Sequence, residues 1–287
     1  MTAPTAWFLT CEGPQRSREP DEILDDVKSL VGKGVVEVTL LGQNVNSYGQ
    51  DLGARVSFAQ LLEKLNDISG LLRIRFTTSH PKDISKDLML AMRDLTKVCE
   101  HIHLPAQSGS SRVLARMNRG YSSDEYVRKV ETLREIVPAI GLTTDIIVGF
   151  PGETEDDFKE THSLLERVQF DGAYIFKYSS RPGTAAERFE GKIDDKVIAR
   201  RHKELLAFQK TISMRRLETL VNSVQSVLAE NNDITRSGYV TGRTRGYRVA
   251  SFPGVELHVG KEVSIQVSGV SRWTLVGKSA AQSGDMS

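Results

Sequence analysis

The chain reads as an α/β protein: a parallel sheet wrapped by helices, followed by a small all-β barrel. Three observations predict this. Short apolar runs alternate with amphipathic helical stretches over the first two thirds of the sequence. A long basic helical segment then runs from Asp194 to about Leu220. After it come short alternating runs broken by Gly and Asn, the texture of a small barrel of about 60 residues.

The elements follow in order. Pro20 and Asp21 open a helix over 21–32 that stops near Gly32 and Gly34. Val36–Leu41 is a strand cut off by Gly42, Phe58–Ile68 a helix, and Arg73–Thr77 a strand. Ser85 caps a helix to Thr96, and His101–Leu104 is a strand. Helices over 109–117 and 123–136 precede the near-continuous apolar strand Leu142–Phe150. Thr154 caps a helix to Val168, and Ala173–Tyr178 is the fifth strand. The strands read as apolar on both faces, as a doubly covered sheet requires. A complete or partial βα barrel is the first expectation and a doubly wound sheet the second. In the last third, strands are expected at Val221–Leu228, Gly238–Thr241, Tyr247–Phe252 and Glu262–Val267. The expected division is an atypical segment 1–20, the βα barrel 21–218, the small barrel 219–279 and a disordered tail 280–287.

Composition is that of an ordinary globular chain: 287 residues, 39% hydrophobic and 26% charged. No apolar run reaches the roughly 18 residues of a membrane span. The start, MTAPTAWFLTCEG, reads as no export signal. Two cysteines, Cys11 and Cys99, make no disulfide framework and suggest a reducing compartment, the cytoplasm. A mitochondrial location would need a longer precursor. Net charge is +1, yet residues 194–279 carry fourteen Lys and Arg against eight acidic groups. That basic third fits either nucleic-acid contact or a solvated helix face.

Polar residues cluster where the strands end, which in a βα barrel is the functional face. Gln43, Asn44 and Asn46 follow the first strand, Ser79 and His80 the second, Gln107 and Ser108 the third, and Glu153 the fourth. Amides read hydrogen-bonding edges without adding charge, though Asn also favours turns. In Asp145–Thr154 a buried strand meets a turn whose Gly149 and Gly152 allow close approach of a ligand. The same turn serves equally as a plain βα connection, and the acidic residues 155–157 argue against a phosphate there. His80, His101 and His103 do not read as a metal site, because no acidic or cysteine partner lies near in sequence. No Gly-x-Ser-x-Gly elbow occurs, and Cys99 reads as a packing residue.

Taken together, Val38–Tyr48, Arg73–Pro81, His101–Ser110, Met117–Tyr121, Thr144–Glu155 and Tyr178–Thr184 resemble one family, in order and in register. They are similar to the MiaB-type radical-SAM tRNA methylthiotransferases, the tRNA-2-methylthio-N6-dimethylallyladenosine synthases. The resemblance covers roughly 16–278. It implies a partial radical-SAM βα barrel followed by a TRAM barrel that binds RNA. It implies S-adenosylmethionine and [4Fe-4S] clusters as cofactors, the tRNA anticodon stem-loop as partner, and a methylthio group added at C2 of an N6-modified adenosine 37. No membrane partner is expected. S-adenosylmethionine is expected across the strand ends, near Gln43, Asn44, Asn46, Ser79, His80, Gln107, Ser108, Asp145, Gly149 and Glu153. RNA contacts are expected at Arg16 and Arg18, and at the turn carrying Arg243, Arg245, Tyr247 and Arg248.

The family holds its barrel cluster on a Cys-x-x-x-Cys-x-x-Cys loop. Here Met1–Glu12 offers Cys11 alone, so the clusters are expected to be absent and the radical reaction lost. The family's N-terminal domain, with three further cysteines, is expected to be missing. Trp7-Phe8-Leu9 is a candidate substitute for the first barrel strand. A cluster-free tRNA-binding module, or a fragment without function, is the other expectation.

Overall fold

Helix starts are written into the sequence. Ser57, Ser85, Ser122, Thr154 and Asp194 each accept a hydrogen bond from a backbone N–H in the turn that follows. Such caps satisfy donors that the helix itself cannot, and each is worth about 1 kcal/mol. A computed structural model describes residues 16–280, apart from 54–55, 78, 181, 235 and 255–257. The segment Trp7-Phe8-Leu9, Cys11 and nearly all of the tail lie outside the described residues.

The first unit comprises α1 (Pro20–Gly32), β1 (Glu37–Leu40), α2 (Phe58–Asn66), β2 (Arg73–Phe76), α3 (Lys86–Asp94), β3 (His101–His103), α4 (Ser111–Arg116), α5 (Ser123–Ile136), β4 (Gly141–Val148), α6 (Glu155–Val168) and β5 (Gly172–Lys177). β1 pairs in parallel with β2, and β3, β4 and β5 form a second parallel sheet. Ile74 joins the two: its N–H donates to Lys97 O at 2.7 Å and its carbonyl accepts from Cys99 N at 3.0 Å. Spatial order therefore follows chain order. A doubly wound sheet would reverse direction partway, so the arc is part of a βα barrel.

The two faces of the arc differ, contrary to the expectation of strands apolar on both faces. One face packs on the helices: Ile74, Ile102, Leu142, Ile146 and Val148 are fully buried. Each such side chain stabilises the fold by about 1.5–3 kcal/mol. The other face lines the inside of the arc and is polar or half-buried, with His101, His103, Thr143 and Asp145. The strands are thus apolar on one face only, because the inner face surrounds a lumen instead of packing on helices.

α7 (Asp195–Glu218) leads to the second unit: β6 (Val224–Asn232), β7 (Tyr239–Thr244), β8 (Val249–Pro253), β9 (Glu262–Ser271) and β10 (Thr274–Ser279). They close a barrel in the order β10-β8-β7-β6-β9, around Val227, Val240, Phe252, Ile265, Val267 and Leu275. Four of these strands were expected. β10 was not, because Thr274–Ser279 is short and holds a Gly and a Lys. Tyr247, expected in a strand, sits in the β7–β8 turn with φ +67°. No helix among the described residues is long and apolar enough to cross a membrane.

Candidate functional site

The C-terminal ends of the strands carry buried polar atoms that have no hydrogen-bond partner among the described residues. After β1, Asn44 Nδ2 donates to Asp83 Oδ2 at 2.6 Å, tying this loop to the one after β2. Asn44 Oδ1, both amide atoms of Asn46, and Ser79 Oγ are buried without a hydrogen-bond partner. Leaving such an atom dry costs about 1–3 kcal/mol, so their concentration after β1 and β2 marks a place built for something polar. Gln43 is exposed beside them. A cavity of about 580 Å³ opens between α1 and β1, reached by Arg16, Arg18, Gln43 and Asn44.

Around the rim, His80 Nδ1 accepts from Lys82 N at 3.2 Å, and its ring meets Tyr121 edge-on. Burial, and then the nearby Arg119, keep this imidazole below its ordinary pKa. Arg119, within the tract Met117–Tyr121, has no role legible from the sequence alone. It is half-buried, its Nε is buried with no partner among the described residues, and burial lowers its pKa while Tyr121 and Asp145 act against that. A guanidinium near Asp145 and His80 that pairs with no carboxylate among the described residues is suited to an anionic group. The tract Met117–Tyr121 was a visible signal, but only its position in the fold gives it this meaning.

The remaining expected residues divide between lumen and scaffold. Asp145 lies in the lumen, with Oδ2 3.4 Å from His103 Nε2, while His103 Nδ1 is 3.0 Å from Thr143 Oγ1. Tyr174 and Phe176, missed in the sequence, stand exposed on the same inner face, with Tyr174 edge-on to His103. Gln107 takes φ +67° and its backbone joins the sheet beside Asp145 and Ile147. Ser108 is a fastening: its hydroxyl accepts from Ser110 N and meets Thr161 of α6. Gly149 and Glu153 are fastenings too. Glu153 Oε2 accepts from Gly149 N and from Arg201 Nη1, each at 2.7 Å, which locks the turn to α7. A Cβ on Gly149 would lie 2.6 Å from Ile198 Cγ1, and its φ of +80° suits glycine. Burial raises the Glu153 pKa, partly offset by Gly149 and Arg201.

The opposite, N-terminal end of the arc is occupied by the small barrel. Arg73 donates from Nε to Glu262 at 2.7 Å and from Nη1 to Arg243 O at 2.6 Å. Arg75 donates to Glu37, Arg245 O and Thr244 O. From the other side, Arg245 grips Glu100 with two bonds of 2.7 Å and also reaches Val98 O. Arg248 pairs with Asp171 at 2.6 Å, and Arg243 pairs with Glu230. Tyr247 stacks on His101, ring centroids 4.7 Å apart, with the Arg75 and Arg243 guanidinium groups near its ring. A Cβ on Gly141 would lie 2.4 Å from Gly246 O, so only glycine admits the turn. Arg243, Arg245 and Arg248 thus have protein partners. The turn that carries them clamps the two barrels together. Arg18 pairs with Asp26 at 2.8 Å, and Arg16 is exposed.

The radical SAM superfamily model matches residues 6–165, more than half of the chain, and the TRAM domain model matches 218–279. The chain belongs to the radical SAM superfamily. It is 49% identical over 265 residues to a tRNA-2-methylthio-N(6)-dimethylallyladenosine synthase of Acetivibrio thermocellus, covering 92% of this chain and 55% of that one. A synthase of the same name from Moorella thermoacetica is 47% identical over 266 residues, covering 93% of this chain and 60% of that one. The chain therefore spans little more than half the length of the curated relatives it matches. Coproporphyrinogen III oxidase from Escherichia coli, described as a radical SAM enzyme, superimposes with TM-score 0.51 at 14% identity. That match covers 79% of this chain and 60% of that one, and it supports the fold alone.

Membership in the radical SAM superfamily implies S-adenosylmethionine and a [4Fe-4S] cluster, and the residues present fit the two unequally. The unpartnered atoms of Asn44, Asn46 and Ser79 and the Arg119 guanidinium fit a polar, zwitterionic nucleoside. A cluster held by three thiolates does not fit, because the chain has two cysteines in all. Cys99 is buried beside β2, and burial pushes its thiol pKa up, away from the thiolate a cluster needs.

Proposed function

We propose that this chain is the S-adenosylmethionine-binding and tRNA-binding part of a methylthiotransferase. Its substrate would be the N6-modified adenosine 37 of the tRNA anticodon stem-loop, modified at C2, in the cytoplasm. The observation that carries the reading is the set of unpartnered buried polar atoms on Asn44, Asn46 and Ser79. They lie on the face where a βα barrel binds its ligand. The high identity to synthases of that name supports the substrate class. In this reading Asn44, Asn46 and Ser79 hydrogen-bond the cofactor and Arg119 faces its carboxylate. The exposed Tyr174 and Phe176 give the lumen an aromatic wall for a base.

The chain by itself holds no cluster in this reading, so no radical step is assigned to it. S-adenosylmethionine binds weakly, because a cluster iron would otherwise chelate its amino and carboxylate groups. Anaerobic reconstitution followed by iron and sulfide analysis tests the first point. The expected content is well below one iron per chain, and about four irons with four sulfides would overturn it. Titration calorimetry with S-adenosylmethionine tests the second, and the absence of any binding heat would remove the cofactor from the proposal.

A further inference from the structure

The clamp leaves the small barrel with its obvious arginines engaged, and the β9–β10 hairpin then stands out. Ser271 pairs with Thr274, so two residues, Arg272 and Trp273, make the turn. Both have positive φ, +45° and +70°. A two-residue hairpin needs this conformation because its twist matches that of the strands, and it normally uses Asn-Gly to reach it without strain. An arginine followed by a tryptophan is among the least suited pairs.

No specific side-chain interaction within the described residues offsets this strain. Trp273 is 44% exposed, and Arg272 is exposed. Neither side chain makes a hydrogen bond, ion pair or ring contact among the described residues. Elsewhere in the small barrel, Arg243, Arg245 and Arg248 meet carboxylates and Arg236 lies 3.4 Å over the Tyr239 ring. Among the described residues, Arg272 is the arginine of this barrel whose guanidinium is left to solvent. Leu275 pairs in parallel with Ala250, which sets Trp273 level with Arg248 along the neighbouring strand. The tip therefore stands at the barrel end that carries the clamp.

We propose that Arg272 and Trp273 form the RNA-contacting tip of the small barrel. Trp273 stacks on an unpaired base, and Arg272 takes the adjoining phosphate. The proposal rests on the tRNA-binding reading above and moves it from the 243–248 turn to the hairpin. The chemistry suits a single-stranded loop: an indole face accepts any base, and a free guanidinium matches phosphate oxygens. The turn sets the backbone from which both groups project, side by side at the hairpin tip.

The full chain is compared with the double variant Arg272→Asn, Trp273→Gly, which installs the sequence the turn prefers. Binding to a tRNA anticodon stem-loop is read by fluorescence anisotropy at several salt concentrations, and stability by thermal melting. The expected result is a melting temperature equal to or above that of the parent, with affinity at least tenfold weaker and a shallower salt dependence. Unchanged affinity in a variant that melts at least as high would overturn the proposal. So would weakened binding that comes only with a change in oligomeric state. A second readout is independent of folding: in a Trp7→Phe background the remaining indole fluorescence comes from Trp273, and stacking quenches it. An RNA-saturated chain with unquenched fluorescence would also overturn the proposal. If the parent chain binds no stem-loop at any salt, the tRNA reading itself fails. If it binds and the variant binds equally, only the hairpin assignment fails.

Discussion

The two ends of the βα arc are made from the same strands and meet opposite fates. At the N-terminal end, Arg73 and Arg75 are buried, yet every one of their guanidinium groups reaches a carboxylate or a carbonyl. At the C-terminal end, the amide atoms of Asn46, the Ser79 hydroxyl and Asn44 Oδ1 are buried with no hydrogen-bond partner among the described residues. The Arg73 and Arg75 guanidinium groups are matched at one end, and these amide atoms and the Ser79 hydroxyl are not matched at the other. The paired end is architecture: the small barrel supplies the carbonyls of Arg243, Thr244 and Arg245, and these fix its register against β1 and β2. The unpaired end is where the proposed cofactor would complete the hydrogen bonds.

The strongest way to break this contrast is to remove one buried guanidinium. Arg73→Ala should strand Glu262 and the Arg243 and Ser226 carbonyls at the seam. Breaking one partner of a buried pair costs about 3–5 kcal/mol, and the partial exposure of Glu262 favours the lower part of that range. Urea unfolding would show it. A loss below about 1 kcal/mol would mean the seam is a surface contact of ordinary salt-bridge strength.

A second test is acid. Burial, and then Arg75 and His103, push the His101 pKa down to about 3. In the unfolded chain the imidazole titrates near 6.5. Between those values the unfolded state binds the extra proton, so stability is full above about pH 6.5 and falls as pH drops toward 3. At pH 5 the loss should reach at most about 2 kcal/mol, from roughly 1.4 kcal/mol per pH unit. His101→Phe keeps a ring against Tyr247 and removes the titration. Urea midpoints at pH 7.5 and pH 5 should converge in this variant. An identical pH dependence in both proteins would place the acid sensitivity elsewhere.

What the sequence disclosed follows from what is local. Caps at Ser85 and Thr154 and the apolar run after Gly141 are decided within a few residues, and the helices and strands fall where those signals put them. The amide tract after β1 was visible as chemistry before it had a place. The clamp was not visible. Arg73 and Arg75 alternate with Ile74 and Phe76 as they would on any half-exposed strand, and only a barrel more than 150 positions later buries them. For the same reason three arginines around Tyr247 read as an open basic patch, although their partners Glu100, Asp171 and Glu230 are all protein. Charge in a sequence gives a potential partner, and folding decides whether the chain has already supplied it.

The smallest stability effect belongs to the C-terminal end, and it carries the sharpest contrast. An atom that is buried and unpartnered already bears its desolvation cost, so deleting it removes a penalty along with a little packing. Ser79→Ala should therefore change stability by less than about 0.5 kcal/mol, or raise it. Asn46→Ala removes more volume and should cost no more than about 1 kcal/mol. If these atoms instead wait for S-adenosylmethionine, both changes should weaken its binding several-fold, since each deletes a hydrogen bond worth about 1 kcal/mol. Stability and affinity then move independently, the reverse of Arg73→Ala, where the fold yields first. Calorimetry on folded Ser79→Ala and Asn46→Ala decides the matter. A pair of variants as stable as the parent that bind S-adenosylmethionine equally well would show that these unpaired atoms face something other than the cofactor.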